Sequence, residues 1–533
     1  MGTFRKQGEP KVWATAAALS ATLLMIATLL VVVLVNGLGY FWPSDLTLAI
    51  MKDGSKLLGE ITAREKATAS HGERLQFKVG NRDLYGQDYR WVDRKDIATL
   101  SGPDDSVALE RREHGNFYGF LKSLSLEGIK VAASPSPWYD MEKAVSLVAD
   151  SRDKLSGTEK EMSKLNGEAE ALRLKIQKLI YVKGDRTRID ALTRQREQLL
   201  SRFNTLLDRF NSETEELHRP KAVFTDASGE EKEIALIDIV RAWRPNSMGV
   251  FAKAAFYAGK IGEMLLDEPR ESNTEGGLFP AIFGTVMMVI LMSIFSLPFG
   301  VIAAVYLREY AREGVIVRLV RIAVNNLAGV PSIVYGVFGL GFFVYGIGSG
   351  IDAFFFPERL PTPTFGTGGI LWASLTLALL TVPVVIVSTE EGLAAVPKGL
   401  REGSLSLGAT KFQTLLKVVL PMATPGIMTG MILAMARAAG EVAPLMLVGV
   451  VKLAPSLPID GTFPFFHMDR KFMHLGFHIY DVGFQSPNVE AAKPMVFVTT
   501  LLLLAIVITA SSTAIVIRSE EHTSELQSRS DLV

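Results

Sequence analysis

The sequence predicts an all-α polytopic membrane protein that carries a large external α+β insertion. Hydrophobic residues make up 48% of the 533 residues, and they collect at the start of the chain and in its second half. Most of the charged residues lie between these two parts. A bilayer core about 30 Å thick requires a helix of roughly 20 apolar residues. Six segments satisfy this requirement, at residues 12–35, 279–307, about 327–347, 369–388, 422–451 and 495–517.

The first apolar segment, within residues 1–36, predicts an uncleaved membrane anchor. It is longer and more uniformly apolar than the apolar region of a signal peptide, and no small-residue cleavage site precedes Asn36. Lysine and arginine of short loops are enriched on the cytoplasmic side of membrane proteins. In this chain they concentrate in three segments, at residues 5–11, 308–321 and 398–417. We therefore expect both termini in the cytoplasm and residues 37–278 outside it.

Composition excludes several classes of functional site. The chain contains 0 cysteines, which excludes disulfide scaffolds, thiolate metal sites and thiol nucleophiles. Its formal net charge of +0 gives no indication of nucleic-acid binding. The phosphate-binding pattern Gly-x4-Gly-Lys-Ser/Thr does not occur, since Gly259-Lys260 is followed by Ile261. The chain itself is therefore not expected to bind ATP.

The insertion, residues 37–278, changes its periodicity part-way along. From about 46 to 131, short alternating stretches lie between glycine and aspartate turns, which favours a small β-rich module. From about 139 to 218, apolar residues recur every three or four positions on both sides of a turn signal at 183–185. This pattern predicts an antiparallel helical hairpin with a coiled-coil seam. The stretch 221–242 is predicted to return to the β-rich module.

The loop between the fourth and fifth spans, residues 389–421, contains the most specific motif. It reads Glu402-Gly403-Ser404, three residues, Gly408, nine residues, then Val418-Val419-Leu420-Pro421. Gly408 can adopt a left-handed turn between two short helices, Thr410 and Gln413 have the spacing of a capping box, and Pro421 marks the predicted start of the fifth span. The motif resembles the EAA loop of ABC importer permeases, with Gly-Ser in place of the small Ala-Ala pair.

The resemblance implies that this loop inserts into a groove of a cytoplasmic ATPase subunit. Small residues at 403 and 404 would let the partner surface approach closely, and Leu420 and Pro421 complete the motif. ATP and magnesium would then be bound by the partner chain, with no cofactor on this one. The alternative interpretation is an ordinary amphipathic loop.

Further motifs resemble the phosphate-specific importer permeases of the PstA type. They are Phe283-Gly284-Thr285, Pro298-Phe299-Gly300, Asn325 to Ser332 and Met435 to Leu445. The resemblance covers about residues 279–517 and the first span, within a predicted permease core at 279–518. It implies the ABC importer permease fold, and a subunit that forms the path of inorganic phosphate across the bacterial inner membrane without catalysing a reaction. The implied partners are a second homologous permease, two ATPase subunits and a periplasmic phosphate-binding protein.

Arg437 and Glu441 are the main candidates for the substrate pathway. An ionised side chain within a span costs on the order of 2.5–3.5 kcal/mol, so it should face the bundle interior or a wet cavity. Four positions apart, the two side chains can neutralise each other on one helix face. Arg437 would offer its guanidinium to the phosphate oxyanion, and Glu441 would hold it when the path is empty. The alternative is a structural ion pair with the partner permease.

Two weaker groups of polar residues accompany this pair. Asn325 and Asn326, followed by Pro331, either interrupt the third span and expose polar backbone to the pathway or mark a kinked helix start. His474 and His478, with Asp481 nearby, have a spacing that could bind a metal on a helix. The external loop supplies no further ligand, so no metal site is predicted.

Several alternatives remain open. Residues 519–533 resemble the translation of a sequencing-library adapter, and we exclude them from functional reasoning in the expectation of a different, short basic tail. The insertion is either a docking or gating surface for an external partner or an elaboration without transport chemistry. Rival functions are a permease for another oxyanion or phosphonate, and a membrane sensor or scaffold with an external coiled coil.

Overall fold

The computed structural model describes residues 9–67, 72–127, 136–270, 273–461, 463–486 and 489–530. The chain forms two compact units. The membrane unit comprises Met1–Tyr40, Leu278–Pro487 and Ala492–Val533, and the aqueous unit comprises Phe41–Gly277 and Asn488–Ala491. Three parts of the predictions lie outside the described residues, namely the basic residues at 5–6, the boundary at Val131 and the last positions of the tail, 531–533.

Six helices in the described part of the chain are long and apolar enough to cross a bilayer, which confirms the predicted number. They are Lys11–Gly39, Phe279–Tyr310, Ser332–Phe355, Ile370–Ala395, Lys411–Gly440 and Ala492–Val516. The first lies within helix α1 (Glu9–Gly39), whose apolar side chains are almost all exposed.

The aqueous unit contains two five-stranded antiparallel sheets. The first has the order β4-β3-β2-β1-β5, with β1 (Leu46–Met51), β2 (Lys56–Glu65), β3 (Arg74–Lys78), β4 (Tyr89–Asp93) and β5 (Ile97–Ser101). The second has the order β10-β6-β7-β8-β9, with β6 (Ser106–Arg111), β7 (Asn116–Ser125), β8 (Lys221–Thr225), β9 (Glu231–Ala235) and β10 (Ile239–Trp243). Since β8 and β10 hydrogen-bond with β7 and β6, the predicted return of residues 221–242 to the β-rich module is confirmed.

One short helix and two long ones accompany the sheets. A single turn, α2 (Arg82–Tyr85), joins β3 to β4. Between β7 and β8, α3 (Pro137–Tyr181) and α4 (Arg186–Leu217) pack against each other. The chain reverses between them where the Asp185 carboxylate accepts the N–H of Thr187 at 3.0 Å, which satisfies a free donor of the first turn of α4. The helical hairpin is therefore confirmed, whereas its coiled-coil seam stays a prediction.

An ion cluster joins α2 to the second sheet. The Arg111 guanidinium donates to both Asp83 carboxylate oxygens, at 3.0 and 2.9 Å, and Lys232 lies 2.9 Å from the same carboxylate. The Arg111 side chain is only 4% exposed. Burial alone raises the pKa of Asp83, but the hydrogen bonds and charges of Arg111 and Lys232 outweigh burial and hold the pKa well below its usual range. The ionised carboxylate therefore stabilises the folded state.

Replacement of Asp83 by asparagine should lower the free energy of unfolding by about 3 kcal/mol at neutral pH, because it leaves the Arg111 guanidinium buried without its counter-ion. As the pH falls below about 4, the ordinary pKa of aspartate, the wild-type chain should progressively lose this stabilisation and the difference should shrink. Thermal unfolding of the detergent-solubilised chain at several pH values measures both effects. Asp104→Asn, in an exposed turn, is the control; equal transitions for both variants at neutral pH would contradict the expectation.

A further helix, α5 (Val250–Leu266), is one that the sequence patterns do not predict. Its middle consists largely of alanine and glycine, which give no clear apolar period. A two-strand hairpin, β11 (Pro269–Arg270) and β12 (Glu275–Gly276), follows it and completes the aqueous unit.

The membrane unit is mainly helical, although its core also includes Val450 and Phe472, which form an isolated β-bridge. It continues with α6 (Phe279–Val305), α7 (Val315–Leu327), α8 (Ser332–Phe338), α9 (Ser349–Phe355) and α10 (Ile370–Ala395). It ends with α11 (Lys398–Ser406), α12 (Lys411–Thr414), α13 (Leu420–Gly440), α14 (Ala443–Val448), α15 (Leu475–Tyr480) and α16 (Val489–Ser530). π-helical turns extend α6 at Tyr306–Tyr310 and α15 at Asp481–Gln485. Two further π-helical segments join α8 to α9, at Gly339–Gly348, and α12 to α13, at Leu415–Val419. The third and fifth spans are therefore continuous helices.

The core of the membrane unit lies around α10, the most buried of the six spans, which packs against α6 and α13. Glycines allow this close approach. A Cβ on Gly426 of α13 would lie 2.6 Å from the Cα of Gly392 in α10, and one on Gly300 of α6 would lie 2.5 Å from Val385. This packing fixes α13 against the helix that precedes the predicted EAA-like loop.

The third span begins later than predicted. Residues 315–327 form the separate amphipathic helix α7, and the span starts at Ser332, directly after Pro331. Proline disfavours helical backbone at the preceding residue, so one helix does not run through this point. Asn325 and Asn326 therefore lie in α7, before the span, and do not interrupt it.

The fifth span ends at Gly440, and the prediction that it continues to residue 451 is wrong. Glu441 has extended backbone, with φ −79° and ψ 130°. Pro444 lies four positions after Gly440 and has no N–H to donate to the Gly440 carbonyl, so a helix cannot continue without losing that hydrogen bond. The separate short helix α14 follows instead.

The loop that precedes this span is shorter than the predicted 389–421. Helix α10 continues to Ala395, and the fifth span begins at Lys411. Pro421 therefore lies inside the span, in the first turn of α13 and directly after a π-helical turn, rather than at the start of the span. The connecting residues are 396–410.

Candidate functional site

Two short helices, α11 and α12, form the loop that carries the EAA-like motif. The chain reverses between them at Gly408, which has φ +89°. The N–H of Gly408 donates to the carbonyl of Leu405 at 3.0 Å, and that of Ala409 donates to Ser404 at 3.2 Å. These bonds satisfy carbonyls at the end of α11, as a left-handed glycine commonly permits. The predicted glycine turn between two helices is confirmed.

The second helix of the loop starts with a complete capping box. The N–H of Gln413 donates to the Thr410 hydroxyl at 3.2 Å, and the Thr410 N–H donates to the Gln413 side chain at 2.9 Å. The hydroxyls of Ser404 and Thr414 are 2.9 Å apart and hydrogen-bond α11 to α12. The predicted capping box is confirmed, and Ser404 has a role inside the loop that its small size alone does not indicate.

The loop turns an apolar surface outward. Leu407 is 91% exposed, Phe412 is 62% exposed and Leu405 is 47% exposed. Glu402 and Gly403 are also exposed, and a Cβ added to Gly403 would meet nothing within 4 Å. The packing of this chain therefore does not require glycine at 403. Leu407 and Phe412 are absent from the sequence prediction, although leucine and phenylalanine beside a loop glycine are a signal that could have identified them.

Ionic contacts fasten the loop to the end of the second span. Arg401 pairs with Glu309 at 3.0 Å and donates to the carbonyl of Leu393 at 2.5 Å. The Lys411 ammonium donates to the Glu309 carbonyl and lies 4.8 Å from the centre of the Tyr310 ring. Glu309 is absent from the sequence prediction because it lies far from Arg401 along the chain. A displacement of the loop would therefore act on α6 as well as on α13.

Arg437 and Glu441 lie at the opposite end of the fifth span from the loop. Arg437 Nε is 3.6 Å from a Glu441 carboxylate oxygen, and the two side chains are 33% and 20% exposed. The predicted pairing is confirmed, although Glu441 follows the helix instead of lying within it. At this distance the pair is an ion pair without a close hydrogen bond. The Arg437 side chain is partly exposed, so this pairing does not bury the guanidinium fully.

The two asparagines are not part of this arrangement. Asn325 and Asn326 are exposed on α7, and within the described residues neither amide hydrogen-bonds to Arg437 or Glu441. The turn after α7 is held by the Tyr335 hydroxyl, which donates to the carbonyl of Leu327 at 2.7 Å. Pathway roles for the two asparagines stay a prediction, with no contact that supports them.

His474, His478 and Asp481, whose spacing could suit a metal but for which no metal site is predicted, take part in the packing of the membrane unit. His474 precedes α15 and caps it by accepting the N–H of Gly476 at 3.1 Å, while His478 lies 3.2 Å from the Thr499 hydroxyl. Asp481 pairs with Lys452 at 3.1 Å. Across the ranges that the structure describes, no group of three or more His, Cys, Asp or Glu side chains could hold a metal ion.

Residues 296–520 match the family described as binding-protein-dependent transport system inner membrane component. The chain is 31% identical over 224 residues to the probable ABC transporter permease protein YqgI of Bacillus subtilis (strain 168), a match that covers 40% of this chain and 70% of YqgI. The chain belongs to the ABC transporter permease family. It is a multi-pass inner membrane protein and a transporter component, and the matched residues include the α11–α12 loop and the Arg437–Glu441 pair.

Two further likenesses concern individual proteins. The chain is 40% identical over 175 residues to the phosphate transport system permease protein PstA of Mycobacterium leprae (strain TN), over 33% of this chain and 52% of that protein. It thus spans about half the length of this relative. The inward-facing structure of the MetNI methionine ABC transporter is 20% identical, with a TM-score of 0.34, over 46% of this chain and 95% of that one. The larger part of the aqueous unit, Phe41–Gly277, lies outside the family match at 296–520.

Proposed function

We propose that the chain is the membrane-spanning permease subunit of an ATP-driven importer of inorganic phosphate. The observation that carries this proposal is the 40% identity to a PstA protein over 175 residues. The Arg437–Glu441 pair supports it, because a guanidinium presents paired donors to a tetrahedral oxyanion, and a carboxylate neighbour keeps the empty site electrically neutral.

The loop and the pair are connected by one helix. The fifth span runs unbroken for 30 residues from Lys411 to Gly440, or about 45 Å at the rise of a helix. In our proposal the exposed surface around Leu407 and Gly403 docks into an ATPase subunit. When ATP binding draws the ATPases together, the loop moves α13 directly and α6 through Glu309. The end of α13 then repositions Arg437, which releases phosphate inward.

This mechanism requires a complex of several subunits with a defined orientation in the membrane. A second homologous permease would complete the pathway, two copies of the ATPase would bind ATP and magnesium, and a periplasmic phosphate-binding protein would deliver the substrate. The loop at 396–410 and both termini would lie in the cytoplasm and residues 37–278 in the periplasm.

Single cysteines introduced at Ser406 and Glu230 should then react with a membrane-impermeant thiol reagent from opposite sides of the membrane. The native chain contains 0 cysteines, so no other residue reacts.

Uptake of radiolabelled phosphate into vesicles that contain the co-expressed complex tests the function. We expect uptake to require ATP on the cytoplasmic side and to be displaced by unlabelled phosphate but not by sulfate or methylphosphonate. Equal displacement by methylphosphonate would favour a permease for phosphonates. Purification of the chain without any nucleotide-binding subunit would instead favour a sensor or scaffold.

A further inference from the structure

Helix α5 of the aqueous unit turns its charged side chains toward the sheets. Lys260 pairs with Glu110 of β6 at 2.5 Å, and Glu263 pairs with Arg241 of β10 at 3.2 Å. Both carboxylates are less than a tenth exposed. At the other end of the helix, Lys253 pairs with Asp45. These contacts leave the opposite face of α5 without any charged side chain.

That opposite face is apolar and uncovered. Phe251 is 93% exposed, Leu266 is 73% exposed and Val250 is 72% exposed. Exposed small residues continue the face between them, at Ala254, Ala255, Ala258 and Gly259. A helix at the surface of a soluble domain has the reverse arrangement, with its apolar stripe inward and its charges in water. An exposed apolar face of this kind marks an interaction surface.

Two contacts connect α5 to the residues that follow the first span. The ring of Trp42 lies 6.1 Å from that of Tyr257 of α5, and Asp45 pairs with Lys253. Trp42 comes three residues after Gly39, the end of the first span, and three residues reach at most about 11 Å. Tryptophan and tyrosine are enriched where membrane proteins cross the bilayer surface. The first half of α5 therefore contacts residues that follow the end of the first span by only a few positions along the chain.

We propose that α5 lies along the membrane surface, with its apolar face among the lipid headgroups and upper acyl chains of the leaflet at which α1 ends. Helices that lie in this plane combine a charged face with a face of phenylalanine and leucine. Here the charged face binds the sheets instead of water, so α5 attaches the aqueous unit to lipid. The bilayer is favoured over a partner helix because the chain enters it within a few residues of contacts that hold α5. The proposal does not depend on the transported substrate.

Spin labels test the proposal in the full-length chain, reconstituted in nanodiscs of phosphatidylethanolamine and phosphatidylglycerol. Single cysteines are introduced by Ala255→Cys, Ala258→Cys and Leu266→Cys, which share the apolar face, and by Glu230→Cys in the β8–β9 turn as the control. We expect molecular oxygen to accelerate the relaxation of the three α5 labels more than a water-soluble nickel chelate does, and we expect the three labels to lie at similar depths in the bilayer. The control label should show the reverse preference. Circular dichroism checks that each labelled variant keeps its helical content.

Two results would overturn the lipid contact. If the α5 labels prefer the nickel chelate as the control does, the face lies in water. If they are shielded from both relaxing agents, a protein surface covers the face, either a helix of a partner subunit or a second copy of this chain. Labels at 255 and 266 that differ strongly in depth would show that the helix crosses the surface rather than lying along it, which would also contradict the proposal.

Discussion

Replacement of Arg437 by alanine should abolish ATP-dependent phosphate uptake while the chain still reaches the membrane and assembles with its partners. The guanidinium is the proposed ligand of the oxyanion, and a hydrogen bond to a charged group contributes roughly 1.5–3 kcal/mol. The expected loss in uptake is therefore at least about tenfold to a hundredfold. Vesicle uptake measures the transport, and co-purification with the ATPase measures the assembly.

Variants of the same pair distinguish a pathway role from a structural ion pair. Arg437→Lys keeps the charge but loses the planar fork, so uptake should be partly retained. Glu441→Gln should preserve binding of phosphate, because the counter-anion that competes with it is removed. If the pair only holds the subunits together, Arg437→Ala and Glu441→Gln should impair assembly equally. Normal uptake by Arg437→Ala would contradict the pathway role.

Gly408→Val should uncouple ATP hydrolysis from transport. Gly408 has φ +89° and open space around it, so the effect of valine is conformational and not a clash with a neighbour. A β-branched residue in this backbone region is strained by roughly 1–3 kcal/mol, which is enough to displace the reversal between α11 and α12. We expect uptake to fall more than tenfold while ATPase activity of the complex continues without stimulation by phosphate.

Two matched variants control for the loss of a glycine. Gly399→Ala changes a helical glycine of α11 with equally open surroundings and no positive φ, and it should leave coupling unchanged and stabilise α11 by up to about 1 kcal/mol. Gly408→Asn should restore part of the coupling, since asparagine tolerates left-handed backbone. Wild-type coupling in Gly408→Val would show that the geometry of this turn is not needed to transmit the motion.

Local features of the candidate site could be predicted because they depend on neighbouring residues. The glycine turn at 408 and the capping box of Thr410 and Gln413 each involve residues within five positions of each other, and both have the predicted geometry. The ends of the spans were less predictable. The helix of the fifth span ends at Gly440 because a proline follows four positions later, although the hydropathy of the apolar segment alone indicates a longer helix.

The number of spans, the helical hairpin and the motif of the loop follow from the amino-acid sequence alone, because the length of an apolar run and the period of a helix are local quantities. Which distant residues meet depends on the packing of the folded chain. The contact of Arg401 and Lys411 with Glu309 joins two spans, and the inward-facing charges of α5 leave an apolar face exposed. Both depend on partners remote in the chain, and only packing brings such partners within the few ångströms over which ion pairs and hydrogen bonds act.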